Sequence, residues 1–155
     1  MIRSLSLVVL ACFTSCASLV AADFSIGKAT LTLPAEWIAK SKDDTTTLIA
    51  PEKTPHIQIR TAEGDVAAVQ AKVGALIEDQ VKDFKPAKTE AVTLGANQGV
   101  RLTGPGVEAD DGDPASAEVT ILAVGKTTVL VISHGEGKGT AERSEALAKI
   151  LATLH

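Results

Sequence analysis

The stretch ASAEVTILAVGKTTVLVISH, residues 115–134, decides the fold. Two runs, 115–124 and 127–134, flank the two-residue link Gly125-Lys126, which is long enough only for a hairpin between antiparallel neighbours. In the second run Val129, Leu130, Val131 and Ile132 are consecutive. Side chains alternate along a strand, so this strand is apolar on both faces and belongs at the buried centre of a sheet.

Outward from this pair, strand and helix patterns take turns. Residues 88–94 and 98–103 form a further hairpin around Gly95-Ala96-Asn97, and an acidic, Gly/Pro-rich loop fills 104–114. Upstream, Val66, Val69, Val73, Leu76, Ile77, Val81 and Phe84 recur at helical spacing. With Asp65 as N-cap and Pro86 as stop, they predict one helix over about 65–84. Residues 45–50 and 56–61 are strands around Pro51 and Pro55, with Ile57 and Ile59 on one face and His56, Gln58 and Arg60 on the other. The runs 24–26 and 29–33 are joined by Gly27-Lys28; a hairpin is the first reading and a single strand bulged at Gly27 its rival. Pro34 ends the run, and Trp37, the only tryptophan, closes the next turn as a core anchor. A last helix over about 140–154 has Thr140 as N-cap and Leu147, Ile150, Leu151 and Leu154 as its stripe. Strands, helix, strands, helix give a single α+β domain over 23–155, a mainly antiparallel sheet packed against two helices. Helices on one face are the simplest solution.

This order of elements, with the turn Leu31-Thr32-Leu33-Pro34-Ala35-Glu36-Trp37 after a short first hairpin, resembles the PsbP-like superfamily of small α/β/α proteins, which includes bacterial secreted proteins and envelope lipoproteins. The likeness covers 24–154 as an order of elements, and the L-P-x-x-W turn is its most quotable feature. It implies helices on both faces of the sheet, where periodicity alone asks for one. It also implies a binding or assembly accessory, and the superfamily has no common catalytic residues to carry over.

Before the domain stands a leader. Arg3 gives a positive start, residues 5–13 (LSLVVLACF) are apolar, and small residues end at Val20-Ala21-Ala22. This is the pattern of a secretory signal peptide of 22 residues cut before Asp23. A membrane anchor needs about 20 apolar residues, and Thr14, Ser15 and Ser18 interrupt this run. Phe13-Thr14-Ser15-Cys16 resembles the lipobox of bacterial lipoproteins, so lipidation at Cys16 is the alternative; Val9-Leu10-Ala11-Cys12 would leave the apolar core too short. Taking 22 from 155 residues leaves 133, a single domain without cysteine that an apolar core must hold. Losing Arg3 takes the formal net charge from −4 to −5, which argues against nucleic acid as a partner.

Several motifs tempt and fail. Gly135-Glu136-Gly137-Lys138-Gly139-Thr140 sits between strand and helix, but a P-loop needs Ser or Thr where Gly139 stands, and a dinucleotide loop needs glycine in place of Thr140. Gly125-Lys126-Thr127 precedes a strand instead of a helix and has Thr120 where the first glycine would be. Glu108, Asp110, Asp111 and Asp113 form a candidate calcium loop, yet in the frame set by Gly112 the first EF-hand ligands do not align. His56, His134 and His155 lack the spacing of a metal site and read as surface or edge residues. Ser133 and His134 point to opposite faces, and there is no G-x-S-x-G elbow. His56, Gln58 and Arg60 share a face that Arg101 would join across the sheet, a candidate cluster for an anionic ligand.

The sequence therefore points to an exported, periplasmic or secreted, non-enzymatic envelope protein that binds or helps assemble another envelope protein. It calls for no cofactor, and it would meet a membrane only through a lipid on Cys16. A small hydrolase or metal-dependent enzyme is the alternative, and it requires the scattered His, Asp and Glu residues to converge.

Overall fold

The apolar run at 129–132 takes the place its composition demands. In the computed structural model, β10 (Thr127–Gly135) lies inside an eight-stranded sheet, between β9 (Pro114–Val124) and β5 (His56–Ala62). From β5 the sheet continues through β4 (Thr45–Ile49) to the edge strand β3 (Ile38–Lys42). From β9 it continues to β8 (Asn97–Glu108), which pairs with both β6 (Val81–Lys82) and β7 (Lys88–Leu94). Every pairing is antiparallel. The structure describes residues 21–43, 45–50, 56–135 and 140–155, with backbone alone at 56 and 140–143. The leader through residue 20 with Cys12 and Cys16, Pro51 and Pro55, residues 136–139 and the side chain of Thr140 lie outside the described residues.

Alternation along β10 splits the core in two. Val129 and Val131 go to one face with Leu122, Ile57, Ile59 and Leu48. That face is covered by α3 (Thr140–Leu151), through Leu147, Ile150 and Leu151, and by the separate hairpin β1 (Ala22–Ile26) and β2 (Ala29–Leu33). Leu130 and Ile132 go to the other face with Ile121, Val119 and Leu102, beneath α1 (Val66–Ala71) and α2 (Val73–Ile77). Both faces are covered, as the resemblance implies; packing on one face alone would have left Leu130 and Ile132 in water, at about 1.5–3 kcal/mol for each such side chain.

The single helix expected over 65–84 is two short helices broken at Lys72 (φ −110). Its start is as expected, the Ala68 amide donating to Asp65 Oδ1 at 2.8 Å. Val81 and Phe84 fit the helical spacing but are buried differently: Val81 pairs with Glu108 at the sheet margin and Phe84 follows it into the second core. A strand pairing with burial outweighs a helix preference of tenths of a kcal/mol per residue, and Gly74 weakens the helix further by about 1 kcal/mol relative to alanine.

The loop expected over 104–114 contracts to residues 109–113, because β8 runs through Gly104-Pro105-Gly106 to Glu108. The segment after β6 crosses this strand, Lys85 N donating to Pro105 O (3.1 Å) and Ala87 N to Thr103 O (2.8 Å). A Cβ at Gly104 would fall on the Lys85 carbonyl oxygen, so only glycine permits the crossing. β3 was not foreseen: Ile-Ala-Lys-Ser-Lys has one good strand former. Gly27, at φ 58, settles the first segment as a hairpin. The chain end ties that hairpin down, Thr30 N donating to His155 O (2.8 Å) and His155 N to Thr30 O (3.1 Å), while Asn97 Nδ2 donates to Leu154 O (2.7 Å).

Candidate functional site

The acidic turn lies at the end of β8, on the face that α1 and α2 occupy. Its backbone is closed by Glu108 N to Asp113 O (2.9 Å) and Gly112 N to Glu108 O (3.2 Å), with Gly112 at φ 81. Ala109 N donates to Gln80 O (3.0 Å) and Lys82 Nζ to Ala109 O (3.0 Å), which fix the turn against the segment after α2. Carboxylate oxygens of Glu108, Asp110 and Asp111 lie within 4.8 Å of one another. Asp113 is outside that group; its amide donates to Asp111 Oδ1 (3.0 Å), as the Asp111 amide does to Asp110 Oδ1 (3.0 Å).

His134 joins this turn. Its Nδ1 is 3.5 Å from Glu108 Oε1, and only 7% of the residue is exposed, so it is a core residue, contrary to the surface or edge position expected. Residue 56 stands directly opposite it in the β5–β10 ladder. Sequence spacing hid this pairing, because 78 residues separate two positions that antiparallel register makes neighbours. His155 sits elsewhere, at the first hairpin, its Nδ1 2.9 Å from Thr153 O. Three carboxylates beside an imidazole have the donor types that hold a divalent cation.

Arg101 does not join Gln58 and Arg60. The register sets Ile59, Val131, Thr120 and Arg101 in one row across the sheet, and cross-strand partners share a face. Arg101 therefore lies on the α3 side and Gln58 and Arg60 on the α1/α2 side. Arg60 donates through Nη1 and Nη2 to Asp79, both at 3.2 Å. Gln58 Oε1 is buried with no hydrogen-bond partner among the described residues. Arg101 instead has Nε 3.3 Å from Glu118 Oε1, and Ser144 of α3 donates to Glu118 Oε2 at 2.6 Å. Sequence reasoning missed Glu118 and Ser144, although a glutamate between Ala117 and Val119 in a core strand is a signal of a buried ionic link.

Among the described residues, two exposed carboxyls are held by neighbouring lysines. A hydrogen bond from Lys88, 2.6 Å away, together with its charge, holds the Glu90 carboxyl below the ordinary range. Lys149 does the same for Glu145 at 2.9 Å on α3. Beside that pair a groove of about 670 Å³ runs between α3 and the turn after β2, lined by Pro34, Trp37, Ala146 and Ile150. Trp37 closes the turn by donating its amide to Pro34 O (2.9 Å) and packs partly buried against the first core, so it is both anchor and groove wall.

Among the described residues these features define an α+β protein whose large antiparallel sheet is packed against three short helices, with polar clusters at the sheet margins. The fold is PsbP-like. A cyanobacterial PsbP (CyanoP) from Synechocystis sp. aligns with 91% of this chain and 95% of its own at 11% identity, with a TM-score of 0.54. LpqN of Mycobacterium tuberculosis, described as involved in cell envelope biogenesis, aligns with 87% of this chain and 89% of its own at 12% identity and a TM-score of 0.52. A Bacteroides thetaiotaomicron protein aligns with 82% of this chain at 13% identity and a TM-score of 0.52, and this chain spans 44% of its length. No protein-family signature matches the chain, and no curated protein is recognisably related to it in sequence. Among the described residues no helix is long and apolar enough to cross a membrane.

Proposed function

We propose that this is an exported, non-enzymatic accessory of the cell envelope that works by binding another envelope protein. The observation that carries the reading is the PsbP-like fold, shared with a mycobacterial protein described as involved in cell envelope biogenesis. The leader ending at Val20-Ala21-Ala22 supports it independently. Cleavage before Asp23 leaves a free domain; cleavage before Cys16 leaves the same domain tethered by lipid. In-cell crosslinking followed by affinity capture from the native envelope tests the reading. A specific protein partner is expected, and recovery of nothing above an unrelated exported control would defeat it.

A second reading, a metal-dependent activity, is favoured by one observation: the fold places His134 3.5 Å from Glu108, whose carboxylate groups with Asp110 and Asp111. Calorimetric titration with Ca²⁺ and Zn²⁺ decides it. Heat of binding that disappears in Glu108→Gln supports a metal centre, and none with either ion removes it.

A further inference from the structure

On the α1/α2 face the second core takes residues from β8, β9 and β10 but none from β3 or β4. The register puts Ile38 opposite Ile49, Lys40 opposite Thr47 and Lys42 opposite Thr45, so these six side chains share that face, outside the second core among the described residues, while Ala39 and Leu48 turn to the first core. Ile38 is 55% exposed, and no other large hydrophobic side chain is so exposed among the described residues. Lys40 and Lys42 are exposed and have no ion pair among the described residues, whereas Arg60 next along the sheet is neutralised by Asp79. Asp43, at the hairpin tip with φ 53, pairs with neither lysine among the described residues.

Lysines on an edge strand discourage strand-on-strand association, which accounts for the edge but leaves the face. There an exposed Ile38 and half-buried Ile49 adjoin two ammonium groups in one row. The chain as a whole is net negative. Against that net charge, two ammonium groups with no ion pair among the described residues offer an acidic partner local attraction.

We propose that this β3–β4 face docks an acidic protein partner. An apolar side chain of the partner rests on Ile38 and Ile49, and its carboxylates meet Lys40 and Lys42. Two residues along a strand span about 7 Å, which suits carboxylates at alternate positions of an extended segment. The inference rests on the binding role proposed above and adds the surface and the partner's charge.

The test uses the full chain in its native cell with the photo-crosslinker p-benzoylphenylalanine at position 38, and at Lys126 on the exposed β9–β10 turn as control. Position 38 is expected to capture an acidic protein with at least tenfold higher yield than position 126. Lys40→Glu with Lys42→Glu is expected to lower that yield at least tenfold, Lys40→Gln with Lys42→Gln by less, and both variants should melt as the parent does. Equal yields at both positions, a basic partner, or capture indifferent to charge reversal overturns the proposal. Binding of the purified domain to phosphatidylglycerol vesicles, lost on charge reversal and without a protein crosslink, also overturns it in favour of a membrane surface. A partner captured only through position 126 removes this surface and keeps the binding role; no specific protein at either position removes the binding role as well.

Discussion

Glu118 links three parts of the molecule. It pairs with Arg101 of β8 at 3.3 Å and accepts from Ser144 of α3 at 2.6 Å, with Arg101 and Glu118 side chains 18% and 16% exposed. Breaking a largely buried pair costs more than the pair contributes, because one charge is left desolvated without its partner. Glu118→Ala is expected to lower stability by about 1–3 kcal/mol, read as a lower urea midpoint at an unchanged slope. Glu118→Gln keeps an acceptor for Ser144 and should cost less; equal losses would show that the charge is irrelevant. On the surface of α3, the Glu145 carboxyl is held below its ordinary range by the Lys149 hydrogen bond. A depressed carboxyl contributes stability above its unfolded-state pKa and loses it as the pH falls through the folded one. NMR titration should place the Glu145 midpoint below that of an ordinary glutamate, and Lys149→Ala should raise it. An unchanged midpoint would refute the link.

At the scale of elements, two glycines behave oppositely. Gly104 lies where a Cβ would strike the Lys85 backbone, which cannot swing aside as a side chain can. Gly104→Ala is expected to destabilise by about 1–3 kcal/mol. Gly74 in α2 has nothing within 4 Å of its would-be Cβ, and Gly74→Ala is expected to stabilise by about 0.5–1 kcal/mol. Thermal melts of the pair test the account, and shifts of the same sign would contradict it. The same elements show what the sequence made legible. Apolar continuity at 129–132, the Gly27 and Gly125 turns and the Asp65 cap are local signals, and each element they predict is present. The break of the long helix was not legible, because Val81 satisfies helical spacing and strand pairing alike, and only the distant partner Glu108 selects between them. β3 was hidden because an edge strand buries little and so needs little apolar sequence.

The whole molecule explains why the candidate sites were harder to read than the fold. His134 is buried on the α1/α2 face beside Glu108, and register sets Arg101 on the face opposite Arg60, two outcomes that depend on distant strands. The exposed Ile38 and its neighbouring lysines became a surface only once β3 was placed at the sheet margin. The account holds together if the chain is exported and its leader removed, and the mass of the mature protein tests this most directly. Fractionation of the native cell with intact-mass analysis is predicted to find the chain outside the cytoplasm, beginning at Asp23, or at a lipid-bearing Cys16 if the alternative cut is used. A chain that keeps Met1 and remains in the cytosolic fraction would contradict the account.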